Sequence, residues 1–317
     1  MQAGAREIRR RIKSVKNTKK ITKAMEMVAA AKMRKAVEGV LATRDYSNLA
    51  WEMLLSISEK TDTTKHLLLA QRDEIKKVAI VLISSNRGLC GGFNNQITQK
   101  VIDSIKKHEK VAHDLITMGS RGRDSLVRNN YKVEADFPKA DVILSSVEIA
   151  PLAHLIIDNY KDGEYDKVLV GYTDYFSSMK QIPRVKQLLP ITTQDEFLGA
   201  VGESKGIHMT PEFAKEKRDK HLTKGEYKFE YIFEPNVNQV LDELLPRLIE
   251  MQIYQAVLES NASEHSARMM AMRQAADAAG EMIDDLTLAY NQARQAAITK
   301  EIIEISSGKA ALEQSRV

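Results

Sequence analysis

The sequence predicts an α/β protein whose two chain ends pair as a long antiparallel coiled coil beside a central α/β domain. Three observations carry this. The run from about Ile249 to Leu312 has no proline, has glycine only at Gly280 and Gly308, and is built mostly of good helix formers. The first segment, from Ala3 to about Ile57, has the same texture, with glycine only at Gly4 and Gly39. Between them, short apolar β-rich runs alternate with helical patterns.

As one helix, Ile249–Leu312 would be roughly 95 Å long, and Ala3–Ile57 roughly 80 Å. No single core of a 317-residue chain buries such rods along their length. They must pair, enter a partner, or both. In the first helix, apolar or small residues recur at Ile8, Ile12, Val15, Thr22, Ala29, Met33, Ala36, Val40, Leu54 and Ile57, in the three- and four-residue steps of a coiled-coil seam. Lys19, Glu26 and Ser47 interrupt it, and Ile21, Met25 and Val28 form a second apolar set around the cylinder. In the last helix, Ala267–Ala297 contains ten alanines, which leave it thin and open to close approach.

The central region reads as a Rossmann-like α/β domain over about residues 75–235. Lys76–Ser84 is a continuous apolar strand of the kind buried on both faces, followed by the glycine-rich turn Ser85–Phe93. Helices are expected over Asn94–Lys110, Ser120–Asn130 and Val147–Tyr160, and strands over His113–Met118, Asp166–Tyr172, Met179–Leu189 and Lys228–Phe233. Gly199–Gly225, which includes His208, Pro211 and His221, is polar and aperiodic and reads as a surface insertion. Asn236 is a plausible N-cap, and Pro246 a kink, at the start of the last helix. The expected division is 1–60 for the N-terminal helix, 75–235 for the α/β domain with insertion 199–225, and 236–317 for the C-terminal helix.

Charge and chemistry narrow the function. The net charge is +4, yet residues 1–23 carry nine Lys/Arg against Glu7 alone. Such a segment could bind nucleic acid or anionic lipid. No aromatic residue precedes Tyr46, so no stacking platform is present, and a solvated face or an acidic protein partner suits the segment better. Cys90 is the single cysteine, which rules out an intrachain disulfide. None of the seven histidines sits at metal-ligand spacing, and the serine pairs Ser84-Ser85 and Ser145-Ser146 lack a nucleophile-elbow context. The turn after the first strand sits where phosphate loops sit, but its glycines at 88, 91 and 92 fit neither nucleotide fingerprint. No catalytic residue, cofactor or metal is expected. No apolar run reaches membrane-spanning length, and the basic N-terminus lacks the apolar stretch of a secretory signal.

Four blocks carry a resemblance to the gamma subunit of the F-type ATP synthase. They are Ile8–Met33, Ser85–Asn94 (SNRGLCGGFN), Glu264–Met272 (EHSARMMAM) and Tyr290–Leu312, the last including Ile298–Gly308, which is similar to the family signature. The chain departs from the family pattern at Lys309, Asn86 and Gln292. The resemblance implies a rotor shaft: the paired terminal helices stand inside a ring of alpha and beta subunits, while the α/β domain sits at the base with the epsilon subunit and the membrane c-ring. It implies that the catalytic groups lie on beta and that Arg294 and Gln295 contact a beta loop. Thr299 and Glu301 extend that segment, and Met25 matches a position where added charge impairs coupling. It also implies a peripheral place on the cytoplasmic side of a bacterial inner membrane. Thiol switching through the insertion is excluded, since no cysteine lies there. The rival readings are a basic coiled-coil adaptor for nucleic acid and a nucleotide-binding α/β enzyme.

Overall fold

The computed structural model describes residues 2–60, 66–70, 72, 74–107, 111–141, 145–191, 234 and 236–314, with the side chains of 2–4, 44–60, 237–238 and 308–314 left aside. The chain runs α1 (Gln2–Lys60), β1 (Lys77–Ile83), α2 (Phe93–Lys107), β2 (Ala112–Met118), α3 (Ser120–Arg128), β3 (Val133–Phe137), α4 (Ala150–Lys161), β4 (Lys167–Tyr175), β5 (Gln181–Leu189) and α5 (Val237–Gln314). The expected insertion and the strand expected over Lys228–Phe233 lie outside the described residues.

The five strands lie in the order β3-β2-β1-β4-β5. The first four are parallel and β5 closes one edge antiparallel. The central strand β1 is buried on both faces, as its unbroken apolar run requires. Its alternation sorts two cores. Val78, Ile80 and Leu82 pack with Ile97, Val101 and Ile102 of α2 and Leu126 of α3. Ala79, Val81 and Ile83 pack with Leu152, Ile156 and Tyr160 of α4 and with Leu241, Leu245, Ile253 and Val257 of α5. The last helix is therefore core-forming along its first turns and does not begin as a free rod.

Several elements depart from the sequence reading. β3 was not expected; it is a half-exposed edge strand of five residues, and its apolar signal is diluted accordingly. The helix expected from Val147 begins at Ala150, after a 3-10 turn over Ser146–Glu148, because Pro151 favours the first helical turn and disfavours helix before it. Ser145 still caps the entry, its hydroxyl accepting from the Val147 N–H. The last helix, α5, starts at Val237, next to the N-cap read from sequence, and continues through Pro246. Asn236 caps it as expected: its side-chain oxygen accepts from the Gln239 N–H at 3.0 Å.

The chain divides into two compact units, residues 1–28 with 269–317, and residues 29–268. Both contain a portion of each terminal helix. In the larger unit, Leu258 lies against Gly39 and the Thr43 hydroxyl donates to Gln255 at 2.6 Å, so α1 and α5 run antiparallel there. In the smaller unit, Lys19 lies against Gly280. The seam read from sequence is the less exposed stripe of α1, with Thr22, Ala29, Ala36 and Val40 buried and Ile8, Ile12, Val15 and Met33 half-buried. The side chains of Leu54 and Ile57 lie outside the description.

Candidate functional site

Three groupings of side chains stand out, two in the smaller unit and one in the larger. In the smaller unit, α1 and α5 flank a groove of about 910 Å³ lined by Arg9, Lys13, Lys16, Lys19, Lys20 and Lys23, with Asp277 as its one acid. Six of the nine basic residues read from the N-terminal sequence thus share one surface, while Ile12 and Ile283 line its apolar floor.

Further along α5, residues 298–307 are exposed on every side. Ile298, Ile302 and Ile305 fall at helical spacing and are 47%, 61% and 73% exposed. Arg294, Gln295, Thr299 and Glu301 are all exposed, and the Thr299 hydroxyl donates to the Gln295 carbonyl one turn back. Met25 is half-buried on α1. With Lys19 beside Gly280 in an antiparallel pair, Met25 faces the neighbourhood of residue 274, roughly 30 Å along the pair from Arg294. The five residues named from sequence therefore lie at two places along the pair and not in one patch.

The larger unit holds a buried polar cluster. Lys139 and Glu264 form an ion pair with side chains only 2% and 5% exposed. Arg268 donates to the other Glu264 oxygen at 2.9 Å and reaches the backbone carbonyls of Arg87 at 3.1 Å and Gly88 at 3.4 Å. His265 donates from Nε2 to the Asp141 carbonyl at 2.9 Å and accepts at Nδ1 from Arg268 at 3.3 Å, the pattern of a neutral imidazole. The Asp141 carboxylate pairs with Lys32 of α1 at 2.6 Å. Burial pushes the Glu264 carboxyl up, but Lys139 and Arg268 outweigh it and hold the group below its ordinary range. Burial holds His265 below its ordinary value, and the hydrogen bond from Lys32 holds Asp141 low.

This cluster explains the glycine-rich turn. The turn leaves the C-terminal end of β1, between β2 and β4, where the chain's path across the sheet changes direction and where folds of this layout hold ligands. Here the space is taken by Arg268. The turn's own polar groups are consumed internally: the Ser85 N–H and hydroxyl donate to Asn94, whose amide returns a bond to Ser85, and the Asn86 amide donates to the Lys139 carbonyl. The entry of α3 comes close to the turn because residue 119 is glycine; a Cβ there would stand 2.4 Å from the Ser84 carbonyl oxygen. Cys90 is buried under the turn. Among the described residues, no group of three His, Cys, Asp or Glu side chains is placed to hold a metal ion.

Sequence reasoning placed Glu264–Met272 and Ser85–Asn94 in separate blocks and did not identify Lys139, Asp141 or Lys32 as their partners. The available signal was the run Glu259–Ser266, which is too polar for an ordinary core helix yet sits amid apolar neighbours.

The comparisons with known proteins agree with this architecture. A family model described as ATP synthase matches residues 4–312. An ATP synthase gamma chain of Herpetosiphon aurantiacus is 41% identical over 98% of this chain and 100% of its own length. One from Heliobacterium modesticaldum is 43% identical over 98% and 99% respectively. Among solved structures, a chain of the Euglena gracilis mitochondrial ATP synthase (OSCP/F1/c-ring, rotational state 3) covers 100% of this chain and 97% of its own, with a TM-score of 0.66 at 16% identity, a likeness of fold. These relatives lend nothing to the nucleic-acid reading. With a family model spanning nearly the whole sequence and full-length relatives above 40% identity, the chain belongs to the family of ATP synthase gamma chains.

Proposed function

We propose that the chain is the central-stalk shaft of an ATP synthase, coupling proton-driven rotation of the membrane c-ring to the conformational cycle of the beta subunits, and the reverse during hydrolysis. The observation that carries this is the stretch 298–307 of α5, exposed throughout and carrying an isoleucine stripe. An apolar helix face of that length in water calls for a sheath, and a ring of alpha and beta subunits supplies one. The α/β domain then sits at the base with the epsilon subunit and the c-ring, peripheral to the cytoplasmic side of a bacterial inner membrane. Residues 1–60 and 236–317 serve as the two shaft helices and 75–235 as the domain that receives the rotation.

The mechanism is differential contact and not bond chemistry, with the reacting groups on beta. Each angular position of an asymmetric shaft stabilises one set of beta conformations over another, so turning the shaft moves the populations in sequence. Arg294 and Gln295 are polar groups on an exposed face, available to a beta loop, and Thr299 and Glu301 continue that face. Met25 marks a second contact along the pair, beside the basic groove. An added lysine there would join a surface already rich in cations and bind acidic partner groups too tightly to let go.

The test is Arg294→Ala with Gln295→Ala in the assembled complex. Proton-driven ATP synthesis is expected to fall while the isolated chain stays folded; undiminished synthesis would count against the contact. Co-purification of alpha, beta and epsilon with this chain tests the assembly itself.

A further inference from the structure

Along residues 252–266, α5 is buried around its whole circumference, yet Gln252, Gln255, Glu259, Ser263, Glu264 and Ser266 there are polar. An apolar sleeve would hold such a helix without fixing its angle, because hydrophobic burial has no direction. Hydrogen bonds do have direction. Within little more than one turn, α5 sends bonds to separate parts of the α/β domain. The Ser263 hydroxyl donates to the Thr173 carbonyl at 3.1 Å, and the Ser266 hydroxyl donates to the Ser178 carbonyl at 2.7 Å, at the end of β4 and just beyond it. Glu264 receives Lys139, and Arg268 grips the carbonyls of Arg87 and Gly88. At about 100° per residue, Ser266 leaves the helix on the side nearly opposite both Glu264 and Arg268. The two sets of bonds therefore oppose each other across the helix axis.

We infer that Ser263–Arg268 is a torsional key: its polar bonds position α5 at one angle in the α/β domain, so that turning the domain turns the helix. The inference rests on the shaft reading and assigns these side chains as positioning residues. Leu258, buried against Gly39, is the contrasting element, supplying burial without direction.

The test uses the assembled ATP synthase containing this chain, with a bead on the exposed Lys107 end of α2 and the head held still by a non-hydrolysable ATP analogue. Ser263→Ala with Ser266→Ala is nearly isosteric. It is expected to raise the bead's angular variance about twofold, since losing one of two opposed grips roughly halves the stiffness of the linkage. Arg268→Met, which leaves Glu264 paired with Lys139, is expected to do the same. Leu258→Ala is expected to lower the unfolding midpoint more than the serine pair while leaving the variance unchanged. A variance that follows the unfolding midpoint across the three variants overturns the key. An unmodified complex whose bead ATP does not turn sinks the shaft reading, and the key with it.

Discussion

Two stretches of the same helix meet opposite environments. Residues 252–266 of α5 are buried on every side and tied by polar bonds to β4 and to the β3–α4 connection, and Arg268 just beyond them reaches the β1–α2 turn. Residues 298–307 are exposed on every side, with isoleucines facing water, while the Thr299 hydroxyl and Lys300 bond within their own helix. The first stretch is mostly polar where burial is complete, and the second carries four isoleucines where every residue is exposed. Each is the reverse of what folding alone would select. Folding alone therefore explains neither, and both make sense as joints, one made within the chain and one made with a partner.

The comparison can be broken most sharply at the ion pair. Lys139→Ala leaves Glu264 buried with Arg268 as its remaining charged partner, and a loss of roughly 3–5 kcal/mol is expected in denaturant unfolding of the isolated chain. A loss below 1 kcal/mol would mean that the pair is more hydrated than its burial implies. A smaller effect is expected at Gly171, where β4 passes beneath α2 and an added Cβ would lie 2.5 Å from Val101. Gly171→Ala should cost about 1–3 kcal/mol through overpacking, by the same measurement.

Acid should act on the buried joint in one direction. His265 is held below its ordinary 6.5, so the unfolded chain takes up that proton first as pH falls. Its contribution is complete above pH 6.5 and is lost as pH falls through the lowered value in the folded chain. Glu264, held below its ordinary 4.5, adds a second loss at lower pH of the same sign. His265→Gln should flatten the upper limb of a stability–pH curve and leave the lower limb in place. A variant that keeps both limbs would assign the acid sensitivity elsewhere.

The smallest effect on stability belongs to the exposed joint. Arg294→Ala with Gln295→Ala should leave the unfolding free energy of the isolated chain within about 0.5 kcal/mol, even though coupled synthesis falls. That contrast with Lys139→Ala is the sharpest statement of what separates the two stretches.

Much of the fold was legible in local patterns. The seam of α1, the doubly buried β1 and the Asn236 cap each follow from a few neighbouring residues, because periodicity and capping are short-range properties. β3 escaped because an edge strand exposed on alternate residues has little apolar signal. The entry of α4 was misplaced because Pro151 was not weighed as a first-turn residue. Arg294–Glu301 was found through a motif similar to a family signature and not through any chemistry of its own. The Lys139–Glu264 pair was invisible because its partners lie 125 positions apart, and nothing local to Lys139 marks it as buried. The Asn86 amide acquires a role only in three dimensions, where it donates to the Lys139 carbonyl, a bond that the aspartate implied there by the resemblance could not make.

The position of Arg268 against the turn after β1 has a consequence for small molecules. In an open domain of this layout, a hydrogen-bond donor such as an amine would compete only with water for the Arg87 and Gly88 carbonyls. Here it competes with a side chain tethered to the same chain, present at an effective concentration of about millimolar or above and never diluted. A dissolved compound would have to displace that tethered competitor and also leave the Glu264 carboxylate short of one of its two cations. Screening the chain for amines and other donor-bearing compounds should therefore return nothing at those carbonyls, until position 268 is changed.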